Sequence, residues 1–249
     1  MLKFELANTL EVEKIKRENS AKQPDWKAFE KYTEQIMEQD HIAGASVAVS
    51  RNNQIIYAKG FGVSDISSKE PVDPNTIFGI ASVSKSFTAM AIMQLQDKKL
   101  LNVDDPVTKY VPELKLHGAK DMAKIKIRHL LSHTTGIPPV TRRQDLIKFS
   151  EHLDFLENED YELLGCPGEY LSYCNDSFLL LGLIIERLTG KLYTRHMTAE
   201  FLDTLEMNRS TYSLEDLAKF DNVSVPYVFN HKSNSLEQVQ WPKLGNYEV

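Results

Sequence analysis

The stretch GIASVSKSFTAM, residues 79–90, sets Ser82 and Lys85 three positions apart at the entrance of an apolar run with helical spacing. On a helix, positions i and i+3 are neighbours on one face, so the Ser82 hydroxyl and the Lys85 ammonium come within hydrogen-bonding reach. A serine at the start of a helix also faces unpaired N–H groups and the positive end of the dipole. Both favour the alkoxide that develops as its proton leaves. Lys85 can take that proton if apolar neighbours such as Phe87 and Met90, or a second cation, disfavour its charged form. By itself the spacing is a weak signal. With 18 serines and 21 lysines in 249 residues, about 1.5 such pairs arise by chance, and two polar residues on a solvated surface are the competing reading.

A second constellation lies in PGEYLSYCNDSFLLLGLIIERLTG, residues 167–190. Tyr173 and Asn175 are two apart in a segment entering a buried helix, and an extended backbone there turns both toward one cleft and Cys174 away from it. A phenol can relay a serine proton to a leaving group, and an amide can hold both a substrate carbonyl and a lysine. The competing reading makes Asn175 or Asp176 a helix cap and Tyr173 a half-buried aromatic.

Working outward, the chain has ordinary globular composition, with 26% charged and 42% hydrophobic residues, and is long enough to bury a substantial core. Its net charge of −6 gives no general basic surface, which argues against nucleic acid or an anionic membrane as the main partner. The first twenty residues contain no secretory apolar core, so the expected address is cytoplasmic. FLLLGLII, 178–185, is too short for a membrane span and reads as a buried helix. The two cysteines, Cys166 and Cys174, do not make a disulfide framework.

Residues 1–24 read as a charged arm and 25–249 as one incomplete domain, divided into a helix plus hairpin (25–75), a mainly helical region (76–230) and an irregular tail (231–249). Behind Asp25, DWKAFEKYTEQIMEQ has amphipathic helical spacing, and it should lie on the hairpin formed by ASVAVS and IIYAKGFG about an Asn-containing turn. Helical patterns then follow: SKSFTAMAIMQLQDKKL, IKIRHLLSH, QDLIKFSEHLDFL, the 176–190 run capped by Gly190, and YTRHMTAEFLDTL. One strand pair followed by a long helical block implies α+β rather than alternating βαβ.

ASVSKSFTAM, LNVDDPVTKYVPEL, IRHLLSHTTGIP and PGEYLSYCNDSFLLLGLIIERLTG, in this order, resemble the landmarks of the serine β-lactamase-related family. That family includes class C β-lactamases, low-molecular-weight penicillin-binding proteins, D-aminopeptidases and esterases. The resemblance runs from about residue 25 to about residue 230. It implies an antiparallel sheet flanked by helices plus an all-helical subdomain, and a hydrolase that cleaves an amide or ester through an acyl-enzyme. Ser82 matches the acylated serine, Lys85 the base, Tyr173 the catalytic tyrosine and Asn175 the substrate-contacting asparagine. No metal or organic cofactor is implied, and the partner is a small-molecule or peptide substrate. His133 and Gly136 match a stretch read as structural, and Asp104, Asp105 and Pro106 a turn.

The family's third motif, Lys-Thr-Gly or His-x-Gly, is not found. HTTG (133–136) and LTG (188–190) are wrongly placed, and Lys243-Leu244-Gly245 is taken as coincidence. The expectation is therefore that this chain lacks the C-terminal sheet strands and supplies only the first hairpin. A non-catalytic binding or scaffold homologue, completed by self-association or another chain, is the alternative. No Gly-x-Ser-x-Gly elbow, phosphate loop or His-Glu-x-x-His motif occurs. Gly60 and Gly62 read as strand glycines, and Glu157, Glu159, Asp160 and Glu162 as a solvated loop.

Overall fold

The protein is described by a computed structural model covering residues 24–139, 146 and 149–240. The charged arm, apart from Pro24, and Lys243-Leu244-Gly245 lie outside the described residues. The chain divides into two compact units: one runs up to Pro74 and includes Tyr227–Glu237, the other contains Asn75–Pro226.

In the first unit, helix α1 (Trp26–Gln39) begins where the Asp25 side chain accepts the Ala28 N–H at 3.0 Å, satisfying one of the donors left open at a helix start. Strands β1 (Gly44–Arg51) and β2 (Gln54–Asp65) pair antiparallel from Gly44 opposite Gly62 to Arg51 opposite Gln54, with a bulge between Val49 and Ser50. Asn52 and Asn53, at φ of 54° and 59°, form the two-residue turn whose twist matches that of paired strands. The apolar face of α1 meets β2 as its spacing implies. Trp26 stacks on Tyr57 with centroids 4.4 Å apart, Phe29 meets the same ring edge-on, and Glu30 pairs with Lys59 at 2.7 Å. At Gly62 a Cβ would lie 2.2 Å from the Ala43 carbonyl oxygen, which requires glycine at that close approach. A short strand, β3 (Glu70–Pro71), adds to the β2 edge.

The sequence reading placed an irregular tail from residue 231 and only one hairpin in the chain. The structure corrects both: β4 (Tyr227–Asn230) and β5 (Ser235–Gln238) form a second hairpin. Four-residue strands carry too little alternation to stand out in sequence. The turn is held by Asn230 Oδ1, which accepts the Lys232 N–H at 2.8 Å, and by Asn234 at φ 51°. The second hairpin joins the first unit through Tyr227, whose hydroxyl donates to Asp65 Oδ1 at 2.9 Å and accepts the Ile66 N–H at 3.0 Å.

The second unit is helical. Its central element is α5 (Asn175–Thr189), with Leu181, Ile184 and Ile185 fully buried. It stops at Gly190, φ 66°, whose N–H returns to the Glu186 carbonyl, a left-handed terminus that glycine adopts without Cβ strain. Around it lie α2 (Ser84–Asp97), α3 (Ile127–Leu131), α4 (Phe149–Asn158), α6 (Tyr193–Met197), which continues as a π turn to Leu202, and α7 (Leu214–Leu217). Of the expected helix over 144–156, the described part starts at Phe149; residues 144, 145, 147 and 148 lie outside the described residues. Asp104 and Asp105 stand in a turn, pairing with Arg128 and Lys109 at 2.6 and 2.8 Å. The unit's two ends meet: Ile77 N–H donates to the Asn222 carbonyl and Ser224 N–H to the Ile77 carbonyl, each at 2.9 Å. Among the described residues no helix is long and apolar enough to cross a membrane.

Candidate active site

Ser82 sits in a 3-10 turn, Ala81–Val83, immediately before α2. This is the entrance of the helix expected from Ser84 onward, with Ser82 two residues ahead of its first residue. Ala81 is held at φ 44°, a left-handed conformation that costs a residue with a Cβ about 1 kcal/mol or more. Lys85, in the first turn of α2, donates to Ser82 Oγ at 3.0 Å and to Asn175 Oδ1 at 2.9 Å.

Tyr173 and Asn175 arrive from the other side. Cys174 is extended (φ −130°, ψ 120°) at the N-terminal boundary of α5, so its neighbours project to one side and its own side chain to the other. The Tyr173 hydroxyl donates to Ser82 Oγ at 2.7 Å, while Cys174 is only 2% exposed. The α5 start has no side-chain cap, so Asn175 and Asp176 are not used in that way. Asp176 is buried instead, 3.2 Å from His152 Nδ1. All four sequence-predicted residues are thus brought together, with two donors converging on one hydroxyl oxygen.

Two further residues complete the cluster. His133, at φ 55°, accepts the Cys174 N–H on Nδ1 at 3.2 Å, and its carbonyl accepts the Ser172 N–H at 2.8 Å. Its ring lies 4.3 Å from the Tyr173 ring and 5.1 Å from that of Phe178. Burial, helped by the Lys85 charge, lowers the His133 pKa, which suits the neutral ring that an accepting Nδ1 requires. The sequence reading treated His133 only as a packing residue, although its place in IRHLLSHTTGIP was a usable signal. Gly136, at φ 90°, permits a close approach of two loops: a Cβ there would lie 2.6 Å from the Gly165 carbonyl oxygen.

The surroundings of Lys85 also differ from expectation. Its Nζ lies 5.0 Å above the centre of the Tyr173 ring and 5.6 Å above that of Phe178, cation–π contacts that stabilise a partly desolvated ammonium. Met90 instead faces outward, 51% exposed, and Phe87 packs edge-on with Tyr212. Phe178 was legible as the i+3 neighbour of Asn175. The acidic loop lies apart from the cluster, with Glu157 paired to Lys115 at 2.8 Å and Glu159, Asp160 and Glu162 exposed. Among the described residues no group of three or more His, Cys, Asp and Glu is placed to hold a metal ion.

Ser82, Lys85 and Asn175 stand at the edge of a cavity of about 660 Å³ that continues between α2 and α5. A serine, a lysine one turn on, and a Tyr-x-Asn pair closing over both define a class. The chain belongs to the family described as Beta-lactamase, whose model matches residues 29–234. It is similar to protein flp of Staphylococcus aureus strain MW2, at 33% identity over 184 residues that make up 72% of this chain and 36% of that protein. Among solved structures it is similar to the octameric penicillin-binding protein homologue from Pyrococcus abyssi, with a TM-score of 0.81 at 30% identity, covering 91% of this chain and 52% of that one. A class C β-lactamase matches with a TM-score of 0.70 at 25% identity, covering 86% and 56%. The chain spans about a third to a half of the length of these relatives.

Proposed function

We propose that the chain carries the nucleophile centre of a serine hydrolase acting on amide or ester carbonyls through an acyl-enzyme. The observation that supports this best is the continuous hydrogen-bonded chain from Tyr173 through Ser82 and Lys85 to Asn175. In the reaction, Ser82 Oγ forms a bond to the carbonyl carbon and gives its proton to a deprotonated Tyr173 or Lys85. The bond to the leaving group then breaks as that proton passes to the departing oxygen or nitrogen. Water reverses the sequence to release the acid. Whichever of Tyr173 and Lys85 stays protonated keeps donating to Oγ and stabilises the negative charge that develops there as its proton leaves. Asn175 Oδ1 holds the Lys85 side chain, and this reading assigns its amide to the substrate carbonyl.

A second reading is a binding or scaffold homologue. In that reading the cavity of about 660 Å³ beside Ser82 holds a ligand without forming an acyl bond. Intact-protein mass spectrometry after incubation with a penicillin and, separately, an activated ester tests the choice. One equivalent of adduct on the parent, absent from Ser82→Ala, is expected. A folded parent that takes no adduct from either reagent would favour the binding reading.

A further inference from the structure

The cavity beside Ser82 has more depth than a nucleophile needs, and its shape follows from two helix faces. Lys85 and Thr88 follow Ser82 at steps of three along α2, so the stripe that begins at the nucleophile runs inward. On α5, Asn175, Phe178 and Gly182 share the facing stripe. From Asn175 to Gly182 the helix rises about 10 Å. The space between the stripes is closed by Phe149 and Tyr193, and all of these residues except the rim tyrosine, Tyr173, line one cavity.

The chemistry of this trench changes with depth. Its mouth holds the polar Ser82, Lys85 and Asn175. Farther in, Thr88 Oγ1 and Tyr193 OH share a hydrogen bond of 2.7 Å, so each satisfies the other. Asp176 and His152 face each other, and the Arg209 guanidinium is bonded to the Asn75 carbonyl and to Asp221. Among the described residues, these charged groups of the inner lining already have protein partners. The remaining lining is mainly aromatic and aliphatic, interrupted by the hydroxyl residues Thr76, Ser84, Ser210, Thr211 and Ser213, and Gly182 leaves room where any larger residue would project toward the Tyr193 and Phe149 rings, its nearest neighbours at 3.6 and 3.9 Å from a built Cβ.

We propose that this trench is an acyl pocket, which takes an uncharged apolar acyl group of phenylacetyl to hexanoyl size. The inference rests on the serine-hydrolase reading for its orientation. The leaving group must receive its proton near Tyr173, which is 46% exposed at the rim and does not line the cavity. The leaving group therefore departs on the solvent side, and the acyl remainder bonded to Ser82 Oγ extends the other way, between the helices. A pocket of this volume lies within the range of small-molecule sites, and each methylene buried in one raises selectivity about tenfold or more.

The test is hydrolysis of p-nitrophenyl acetate, butyrate, hexanoate, phenylacetate and hemiglutarate, with the parent, Gly182→Leu and Phe149→Ala. In the parent, kcat/KM should rise at least about tenfold from acetate to hexanoate or phenylacetate, with the charged hemiglutarate the poorest. Gly182→Leu should lower the hexanoate-to-acetate ratio at least about tenfold, and Phe149→Ala should move the optimum to longer chains, so the proposal survives misfolding of either variant. Calorimetric binding of hexanamide to Ser82→Ala, retained there and lost when Gly182→Leu is added, reads the pocket without the nucleophile. A flat chain-length profile left flat by both substitutions overturns the pocket and leaves the hydrolase reading intact. Hexanamide bound by Ser82→Ala, with no turnover of any ester by the parent, overturns the hydrolase reading and keeps the pocket. Neither binding nor turnover overturns both.

Discussion

The imidazole of His133 lies against the Tyr173 ring, centroids 4.3 Å apart and planes 31° from parallel, while its Nδ1 receives the N–H of the very next residue, Cys174. One side chain thus fixes both the ring and the backbone of the tyrosine whose hydroxyl reaches Ser82. Tyr173→Phe, which removes that hydroxyl, should slow acylation by p-nitrophenyl acetate about 10² to 10⁴-fold. His133→Leu, which leaves the hydroxyl but not its support, should slow it about tenfold, and His133→Phe less, since a ring is kept. Equal rates for His133→Leu and the parent would remove the positioning role.

Asn175 presents an oxygen, not a charge, to Lys85. Asn175→Asp places a carboxylate about 2.9 Å from Lys85 Nζ, an opposite charge that favours the ammonium over the free amine a base requires. Acylation by p-nitrophenyl acetate should fall by about a hundredfold. Asn175→Ala, which removes the anchor without adding a charge, should cost less. Equal losses in the two variants would show that only the anchor matters.

Folding should weaken in mild acid. Burial is the main cause lowering the pKa of His129, His133 and His196, so the unfolded chain binds protons more readily than the folded one. Stability is then fully present above the ordinary histidine value of about 6.5 and declines as pH falls through it toward the lowered folded values. Both ring nitrogens of His196 are buried without a hydrogen-bond partner among the described residues. Urea midpoints at pH 7.5 and 5.5 should differ, and His196→Leu should narrow the difference and raise stability by about 1 kcal/mol. Identical midpoints at the two pH values would contradict this account.

The two thiols should separate by reactivity. Cys166 is exposed, whereas Cys174 is buried and its pKa is raised by that burial and by Asp176. A disulfide reagent at pH 8 should titrate one thiol promptly and the second only on unfolding. Prompt modification of both, or protection of the second that persists in Cys166→Ser only partly, would show Cys174 to be accessible from the cleft.

What could be read from the chain follows the range over which each signal acts. Helix α1, the Asn52-Asn53 hairpin and the Gly190 terminus depend on residues within one or two turns of each other, and each stands where expected. Ser82 with Lys85, and Tyr173 with Asn175, were local pairs too, and their order along the chain joined them. The aromatic seat of Lys85 was misread because Phe87 and Met90 are near in sequence, while Tyr173 and Phe178 are near only after α2 and α5 pack. The second hairpin was missed for the same kind of reason. Its decisive bond, Tyr227 to Asp65, crosses 162 positions, and its strands of four residues each are too short for a periodic signal.

The pairing of Ile77 with Val223 bears on how such a chain assembles. Asn75–Pro226 is inserted between β3 and β4 of the first unit, and a flexible insert of that length would raise the entropy cost of closing the sheet unit. Because the insert joins its own ends through Thr76, Ile77, Asn222 and Ser224, that closure is met inside the helical unit by its own contacts. To the sheet unit the insert then acts as a short tether, so Asp65 and Tyr227, distant in sequence, meet at a lower entropic cost than a flexible loop of that length would impose.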